Sequence, residues 1–390
     1  MSKRIGVEVS IAAAEAVGLC DVDVIAAYPI TPQTHIVEHL SEMVAEGHLD
    51  AEFIPVESEH SAMSCCIGSS AAGARTFTST SSQGYALMSE ICFIASSMRL
   101  PIVMAVANRA LSAPISIWND HADLMYSRDS GWIQTIGENG QEVVDLLIHA
   151  FKVAEDHRVM LPVTVNLDGF TLSHVIEPIM LPDKAEVAAY LPRYKAPLRL
   201  DPKNPVSFGP VGMPDVYTEA RKAQDEALKA AKPVIIEAWK EFGDKFGRYY
   251  KPVETYKAED AETIIITMGS ISETAATAID HLREQGKKVG LVRIRLWRPF
   301  PGTELVEAIK GAKNIAVLDR VCSFNGGEIS GPVCLEVKSL LFDRGMNPKV
   351  MNFIAGLGGR DVTVQNFEEM VEKASNGAAP TPYEIINVRE

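Results

Sequence analysis

From Val22 onward, short apolar runs alternate with longer amphipathic ones, and this alternation confines the chain to an α/β fold before any single residue is considered. The runs Val22 to Tyr28, Glu52 to Val56, Thr76 to Ser79, Pro101 to Ala107 and Pro162 to Asn166 have strand length. Between them, the spacing predicts helices over Thr34 to Ala45, His60 to Ala72, Tyr85 to Ser97 and Gln141 to Glu155. Strands that are apolar at nearly every position, not at every second one, are expected of a parallel sheet covered by helices on both faces.

The pattern dissolves between Leu181 and Pro214, where seven prolines interrupt a stretch without periodicity, so residues 181–214 read as a long surface excursion. A polar helix is predicted from about Asp215 to Lys232. A Lys/Glu/Tyr-rich connector, Lys240 to Glu259, then leads to a second alternating block. There the predicted strands are Thr263 to Thr267, Val289 to Arg293, Asn314 to Leu318 and Val350 to Ile354, with helices near Ser272 to Gln285, Thr303 to Lys310 and Gly327 to Leu341. Two α/β domains follow, spanning residues 1–240 and 259–390 and joined by a connector at 241–258. A chain of 390 residues is long enough for both to bury a core.

Composition narrows the function classes. With 37 basic and 51 acidic residues the net charge is −14, and no basic stripe is present, so no nucleic-acid partner is expected. Apolar stretches such as Ile102 to Ala107 are too short to span a membrane. Glu8 and Glu15 interrupt what would be the apolar region of a secretory signal, which points to the cytoplasm. The cysteines, Cys20, Cys65, Cys66, Cys92, Cys322 and Cys334, form no C-x-x-C pair, against zinc and against a self-contained iron-sulfur cluster.

In open α/β sheets ligands bind beyond the carboxyl ends of the strands, so the strand-to-helix junctions are where chemistry is sought. In Tyr28-Pro-Ile-Thr-Pro32 two prolines bracket a hydroxyl, and Thr31 or Thr34 can cap the next helix; a rigid capped turn is the plain account. In Val56-Glu-Ser-Glu-His-Ser61 two carboxylates and a histidine enter a helix of small residues. Capping accounts for only one of the acids, and Glu59 is expected to be buried and to need a partner. Thr78-Ser-Thr-Ser-Ser-Gln-Gly84 reads as a polar turn or as one wall of a ligand pocket, without the glycine spacing of a phosphate loop. From Asn108 to Asp129 no periodicity is visible, and loops of that length in compact domains are functional or disordered; Trp118 and Trp132 argue for order. Asp120, His121 and Asp123 are neighbours that point apart in an extended loop, which argues against a metal. Arg109, directly after a buried strand, suits either a carboxylate ligand or a surface ion pair.

Taken together, Tyr28-Pro-Ile-Thr-Pro32, Glu57-Ser-Glu-His-Ser-Ala62, Thr80-Ser-Ser-Gln-Gly84, Ala107-Asn-Arg-Ala-Leu111 and Leu167-Asp-Gly-Phe-Thr-Leu-Ser-His174 resemble the successive motifs of the α subunit of multi-subunit 2-oxoacid:ferredoxin oxidoreductases. Ala113-Pro-Ile-Ser-Ile-Trp-Asn-Asp-His121 and Ser130-Gly-Trp-Ile-Gln134 are similar to the pyruvate branch, the pyruvate synthases. The likeness covers essentially the whole chain, because Leu296-Trp-Arg-Pro-Phe-Pro301 and Ile354-Ala-Gly-Leu-Gly-Gly-Arg360 look like motifs of the second domain.

The resemblance implies a pyrimidine-binding domain for thiamine diphosphate followed by a domain like the transketolase C-terminal domain. It implies oxidative decarboxylation of pyruvate with coenzyme A to acetyl-CoA and carbon dioxide, electrons passing to ferredoxin. By its place in the Ser-Glu-x-x-Ala pattern, Glu59 would face the pyrimidine ring nitrogen, with Tyr28, Pro29, Ile30, Ser82 and Gln83 lining the cofactor. Thr31 and Arg109 match positions that hold the substrate's keto oxygen and carboxylate. Ile115, Ile117, Asn119, Asp120 and His121 fall in the loop that would close the pocket. The G-D-G motif that binds diphosphate and Mg2+ is missing, as is any cysteine set for a [4Fe-4S] cluster. The diphosphate site, Mg2+, clusters and further coenzyme A contacts are therefore expected on β, γ and δ type subunits, in a dimer of hetero-oligomers. The alternatives are another 2-oxoacid (2-oxoisovalerate, indolepyruvate, oxalate) or a non-catalytic scaffold subunit.

Overall fold

The computed structural model describes residues 3–377 and 381–389. Its first sheet has seven strands, in the spatial order Leu296–Arg298, Ile133–Ile136, Val163–Asp168, Val103–Asn108, Thr76–Thr80, Val24–Ala27 and Glu52–Pro55. All neighbouring pairs are parallel except the first, where Leu296–Arg298 runs antiparallel to Ile133–Ile136. The central strand Val103–Asn108 is buried at every residue. Alternate side chains enter different cores: Val103, Ala105 and Ala107 pack with helix Gly140–Ala154, whereas Met104 and Val106 pack with residues of helices Glu59–Ala71 and Ser89–Ser97. Burial on both faces explains the unbroken apolar runs in the sequence.

The second sheet has six strands, ordered Glu384–Ile385, Lys349–Ile354, Asn314–Asp319, Thr263–Thr267, Val289–Ile294 and Val253–Tyr256. Here too the strand faces divide between two cores, Ile264 and Ile266 into one and Ile265 into the other.

Several elements differ from the sequence expectation. Two elements precede Val22: strand Lys3–Glu8, antiparallel to Ile176–Leu181, and helix Val9–Leu19. That helix buries Ala12, Ala13, Ala14, Ala16 and Val17, so apolar residues surround it and no amphipathic period announces it. The segment expected as one helix, Tyr85 to Ser97, is two, Ser82–Leu87 and Ser89–Ser97, divided at Met88. The excursion at 181–214 contains a helix, Lys184–Tyr190, closed by a capping box of Asp183 and Glu186.

The polar helix does not stop before Pro233 but runs from Pro214 to Phe246, through the start of the expected connector at 241–258, whose other end holds strand Val253–Tyr256 of the second sheet. A helix-interior proline costs about 3 kcal/mol. Beyond it Ile235, Trp239 and Phe242 are all buried in the first core, and each large apolar side chain so buried contributes about 1.5–3 kcal/mol, so packing outweighs the break. Likewise Leu296–Arg298, next to the second domain's strands in sequence, completes the first domain's sheet.

A buried charge cluster reinforces that junction. Glu142 accepts from Arg293 Nη1 and Nη2 at 2.8 and 2.9 Å and from Arg295 Nη2 at 2.6 Å; Arg295 Nη1 also reaches Glu254 at 2.8 Å. Burial disfavours the Glu142 carboxylate, but the two guanidinium groups overcome it and hold its pKa down, to about 2. Its stabilising effect is therefore complete above the ordinary glutamate range and is lost as pH falls from there toward 2. Glu142→Gln removes the carboxylate that two buried arginines share, leaving Arg293 to Glu138 and Arg295 to Glu254, and equilibrium unfolding is expected to show a loss of up to about 3–5 kcal/mol. Lys229→Ala, which breaks the exposed pair with Asp225, is expected to change nothing measurable.

Candidate active site

Because its six neighbouring strands are parallel, the first sheet presents their following turns along one edge. One carboxylate ties two of these turns together. Asp123, in the short helix Ala122–Tyr126, is fully buried. Its Oδ2 accepts from the backbone N–H of Ser82 at 2.9 Å and of Arg109 at 3.0 Å. Its Oδ1 accepts from Asn108 Nδ2 and from the Leu124 N–H, both at 2.8 Å. Ser82 needs such an anchor, since its φ of 45° lies in the left-handed region that serine seldom adopts. Its Oγ donates to the Ala110 carbonyl at 2.6 Å. Burial pushes the Asp123 carboxyl up to about 7, against the opposing pull of these donors.

Glu59 stands at the start of helix Glu59–Ala71, whose N-cap Ser58 accepts from the Ser61 N–H at 3.2 Å. Glu57 is engaged elsewhere, accepting from Ser61 Oγ at 2.6 Å. The Glu59 residue is only 6% exposed, yet its carboxylate accepts no hydrogen bond from any described residue. It lies against Gly84, where an added Cβ would come within 2.5 Å of Glu59 Oε1 and 2.7 Å of Thr80 Oγ1. Thr80 Oγ1, Ser81 Oγ and Gln83 Nε2 are likewise buried without a partner. A buried carboxylate beside three orphaned polar groups is a costly arrangement unless a polar ligand completes it. That donor and acceptor set fits the edge of a polar heteroaromatic ring.

The turn at Tyr28 to Pro32 is organised by a buried residue that the sequence reading passed over. Gln33 Nε2 donates to the Tyr28 carbonyl at 2.9 Å, and its Oε1 accepts from Ser79 Oγ at 3.1 Å. Tyr28 and Pro29 are exposed and Ile30 half-buried. Neither Thr31 nor Thr34 caps the following helix: its N-cap position is Gln33, and no side chain caps it, because the Gln33 amide is spent on the turn.

Arg109 does not take part in a surface ion pair. It is buried, and its guanidinium donates only to backbone carbonyls, from Nε to Ser116 at 2.8 Å and from Nη1 to Thr31 at 3.0 Å. Desolvation lowers its pKa. Its Nη2 has no partner among the described residues.

The pocket-loop residues divide into two groups. Ile115 and Ile117 are 77% and 43% exposed. Asn119, Asp120 and His121 are buried in other contacts: Asp120 Oδ2 accepts from the Gly358 N–H at 3.2 Å, and His121 Nε2 pairs with Asp168 at 2.9 Å. Asp120, His121 and Asp123 thus serve separate partners and do not converge. Beside this loop a cavity of about 640 Å³ opens between the domains, lined by Leu111, Pro114 and Asp120 on one side and Cys322, Phe324 and Leu357 on the other.

Residues 15–240 match the family described as pyruvate flavodoxin/ferredoxin oxidoreductase, thiamine diphosphate-binding, and residues 261–367 match pyruvate:ferredoxin oxidoreductase core domain II. The chain belongs to this family. It is 53% identical over 371 residues to the pyruvate synthase subunit PorA of Methanocaldococcus jannaschii, with 94% of each chain covered. To the same subunit of Pyrococcus furiosus it is 49% identical over 383 residues, covering 97% of this chain and 96% of the relative. The ketoisovalerate oxidoreductase subunit VorA of Pyrococcus horikoshii is 46% identical over 353 residues, covering 90% of this chain and 88% of that one. Among solved structures, the fold resembles a 2-oxoglutarate:ferredoxin oxidoreductase from Magnetococcus marinus, with a TM-score of 0.71 at 18% identity over 95% of this chain and 65% of the longer one. A split-gene transketolase gives 0.55 at 13% identity, covering 96% and 100%.

Asp123, Gly84 and Gln33 were not singled out as site residues from sequence. Gly84 closes one of the sequence motifs and Asp123 was weighed only as a metal ligand, while Gln33 directly follows the Tyr28 to Pro32 motif. Every atom facing Asp123 is a donor, so Asp123→Asn places an amide N–H against one of them. Two lost acceptors at about 1–3 kcal/mol per unsatisfied donor should lower stability. Amide hydrogen exchange at Ser82 and Arg109 should accelerate while the sheet interior keeps wild-type protection.

Proposed function

We propose that this chain is the α subunit of a pyruvate:ferredoxin oxidoreductase and forms the pyrimidine half of a thiamine diphosphate site that a partner subunit completes. One observation carries the reading: a buried Glu59 carboxylate without a donor and an Arg109 guanidinium without a carboxylate lie along the same edge of one sheet. Bound thiamine diphosphate supplies the electron sink for cleaving the bond between a keto carbon and its carboxylate. Glu59 would accept from a protonated pyrimidine nitrogen and hold that proton there. Thr80, Ser81 and Gln83 offer the remaining polar contacts. Arg109 would present its free edge to the substrate carboxylate, a planar donor to a planar acceptor, with the Thr31 hydroxyl beside the keto oxygen.

With no G-D-G motif and no cysteine ligand set in this sequence, Mg2+, the diphosphate, further coenzyme A contacts and [4Fe-4S] clusters would fall to β, γ and δ type subunits, with ferredoxin receiving the electrons. Leu87, Phe93, Ile94, Ile115 and Tyr126, all between 39% and 77% exposed, would form the apolar contact with such a partner. No helix among the described residues is long and apolar enough to cross a membrane. The likeness to a ketoisovalerate oxidoreductase subunit keeps 2-oxoisovalerate as the second substrate reading.

In the assembled complex, Glu59→Gln keeps the side chain's shape but removes its charge. Exchange of the cofactor's C2 proton into deuterated water is expected to slow by about 10² to 10⁴. If Glu57→Gln slows the exchange and Glu59→Gln does not, the wrong carboxylate has been assigned. Arg109→Lys replaces the planar fork by a point donor, and the specificity constants for pyruvate, 2-oxobutyrate and 2-oxoisovalerate should all fall by about one to two powers of ten. Unchanged constants for all three would make Arg109 a structural residue, and the ranking among the three in the wild-type enzyme identifies the preferred substrate.

A further inference from the structure

We propose that Arg320, in the second domain, is a positioning residue for the substrate carboxylate: it fixes the loop whose Ser116 carbonyl aims the Arg109 guanidinium. The inference rests on the substrate role of Arg109 proposed above.

Within its own domain the loop from Ala110 to His121 is held by Ser82 Oγ on the Ala110 carbonyl, by Arg109 Nε on the Ser116 carbonyl and by the Asn119 side chain against Thr171 Oγ1. Ser112 to Ile115 are exposed, and its internal bonds are few, Ala110 N–H to the Trp118 carbonyl at 3.0 Å and Trp118 N–H to Ser116 Oγ at 3.2 Å. Its far end is gripped by the second domain. The Gly359 N–H donates to the Asn119 carbonyl at 2.7 Å, and the His121 N–H donates to the Arg320 carbonyl at 2.9 Å. With the Asn119 amide oriented so that both of its ends are satisfied, its side-chain oxygen accepts from Arg320 Nη2 at 2.7 Å and Nη1 at 3.1 Å.

The same guanidinium reaches Asp168 Oδ2 at 2.9 Å, and Asp168 is the register partner of Asn108, the residue before Arg109. Arg320 thus holds both the strand beside Arg109 and the loop that returns over it. A planar fork can serve two acceptors in different directions; a lysine ammonium on a flexible stem is a single point. The turn around Gly359 leaves no slack. Gly359 has φ 77°, and an added Cβ would lie 2.4 Å from Trp118 Cβ. Trp118 in turn packs on Phe170, ring centroids 4.8 Å apart.

If Arg320 acts through Arg109, its loss weakens substrate binding in ground and transition states alike, which raises KM and leaves kcat nearly unchanged. In the assembled complex, Arg320→Lys is expected to raise the KM for pyruvate about tenfold. C2-proton exchange of the bound cofactor without substrate should stay at the wild-type rate, since Glu59 is untouched. The double variant with Arg109→Lys should have a KM no higher than Arg109→Lys alone, the mark of two residues acting through one contact. A KM within twofold of wild type for Arg320→Lys, alongside a raised KM for Arg109→Lys, overturns the inference and leaves the Arg109 reading standing. Unchanged KM in both variants overturns that reading and the inference together. Should Arg320→Lys fail to assemble, Gly359→Ala carries the same comparison, because it displaces Trp118 without removing a charge; a wild-type KM there overturns the inference as well.

Discussion

Parallel pairing is the constraint from which the rest of this molecule follows. Six strands of the first sheet run the same way, so every strand-to-helix turn emerges along a single edge. The sheet interior is buried on both faces, where an unpaired polar group is costly. Polar chemistry is thereby pushed to that edge, where Glu59, Ser82, Arg109 and Asp168 each stand at or just beyond a strand's end. The turns cannot satisfy one another by regular pairing, and side chains take over: Gln33 for the Tyr28 turn, Asp123 for the Ser82 and Arg109 turns. Among what they leave unsatisfied are the polar atoms of Thr80, Ser81 and Gln83, three residues of the turn that packs against Glu59.

Five of the seven strands of the first sheet, four of the six of the second and most helices were legible in the sequence because their apolar patterns record burial directly, whereas Ile133–Ile136, Val253–Tyr256 and Glu384–Ile385 were not read as strands. The failures have equally physical causes. Helix Val9–Leu19 is apolar all round, so it carries no period, and helix Pro214–Phe246 survives a proline because tertiary packing beyond Pro233 outweighs a local cost. Strand Leu296–Arg298 crosses to the other domain's sheet, a choice that three residues cannot announce. At the site, the motif residues stood out because their composition is odd for a turn. Asp123 stood out only as a metal ligand to be weighed and set aside, since its actual role depends on which backbone groups the fold brings to it, and nothing local in Ala122 to Tyr126 encodes that.

The absence of a G-D-G motif has a structural counterpart. The Glu59 carboxylate has no donor among the described residues and Thr80, Ser81 and Gln83 keep buried polar atoms without partners, as the proposed shared site requires, while Leu87, Ile115 and Tyr126 are exposed. The exposed Ile115 and the buried Asn119 belong to one loop and show the same contrast within a few residues.

Two aspartates near that edge show how the same side chain is made to do different work. Burial drives both toward the neutral form. Asp123 is met by neutral N–H donors only, and its carboxyl stays raised, to about 7. Asp168 faces Arg320 and His121 across the domain junction, and these charges hold it far below the usual carboxylate range. Asp123 spends both of its oxygens on the N–H groups that order the turns of its own domain, so none is left to pair with the Arg109 guanidinium. Asp168 remains ionised, and it spends its charge on the second domain's arginine. The first domain's potential stays open for a ligand while its attachment to the second is secured by charge, and this separation leaves the free edge of Arg109 without a competing carboxylate.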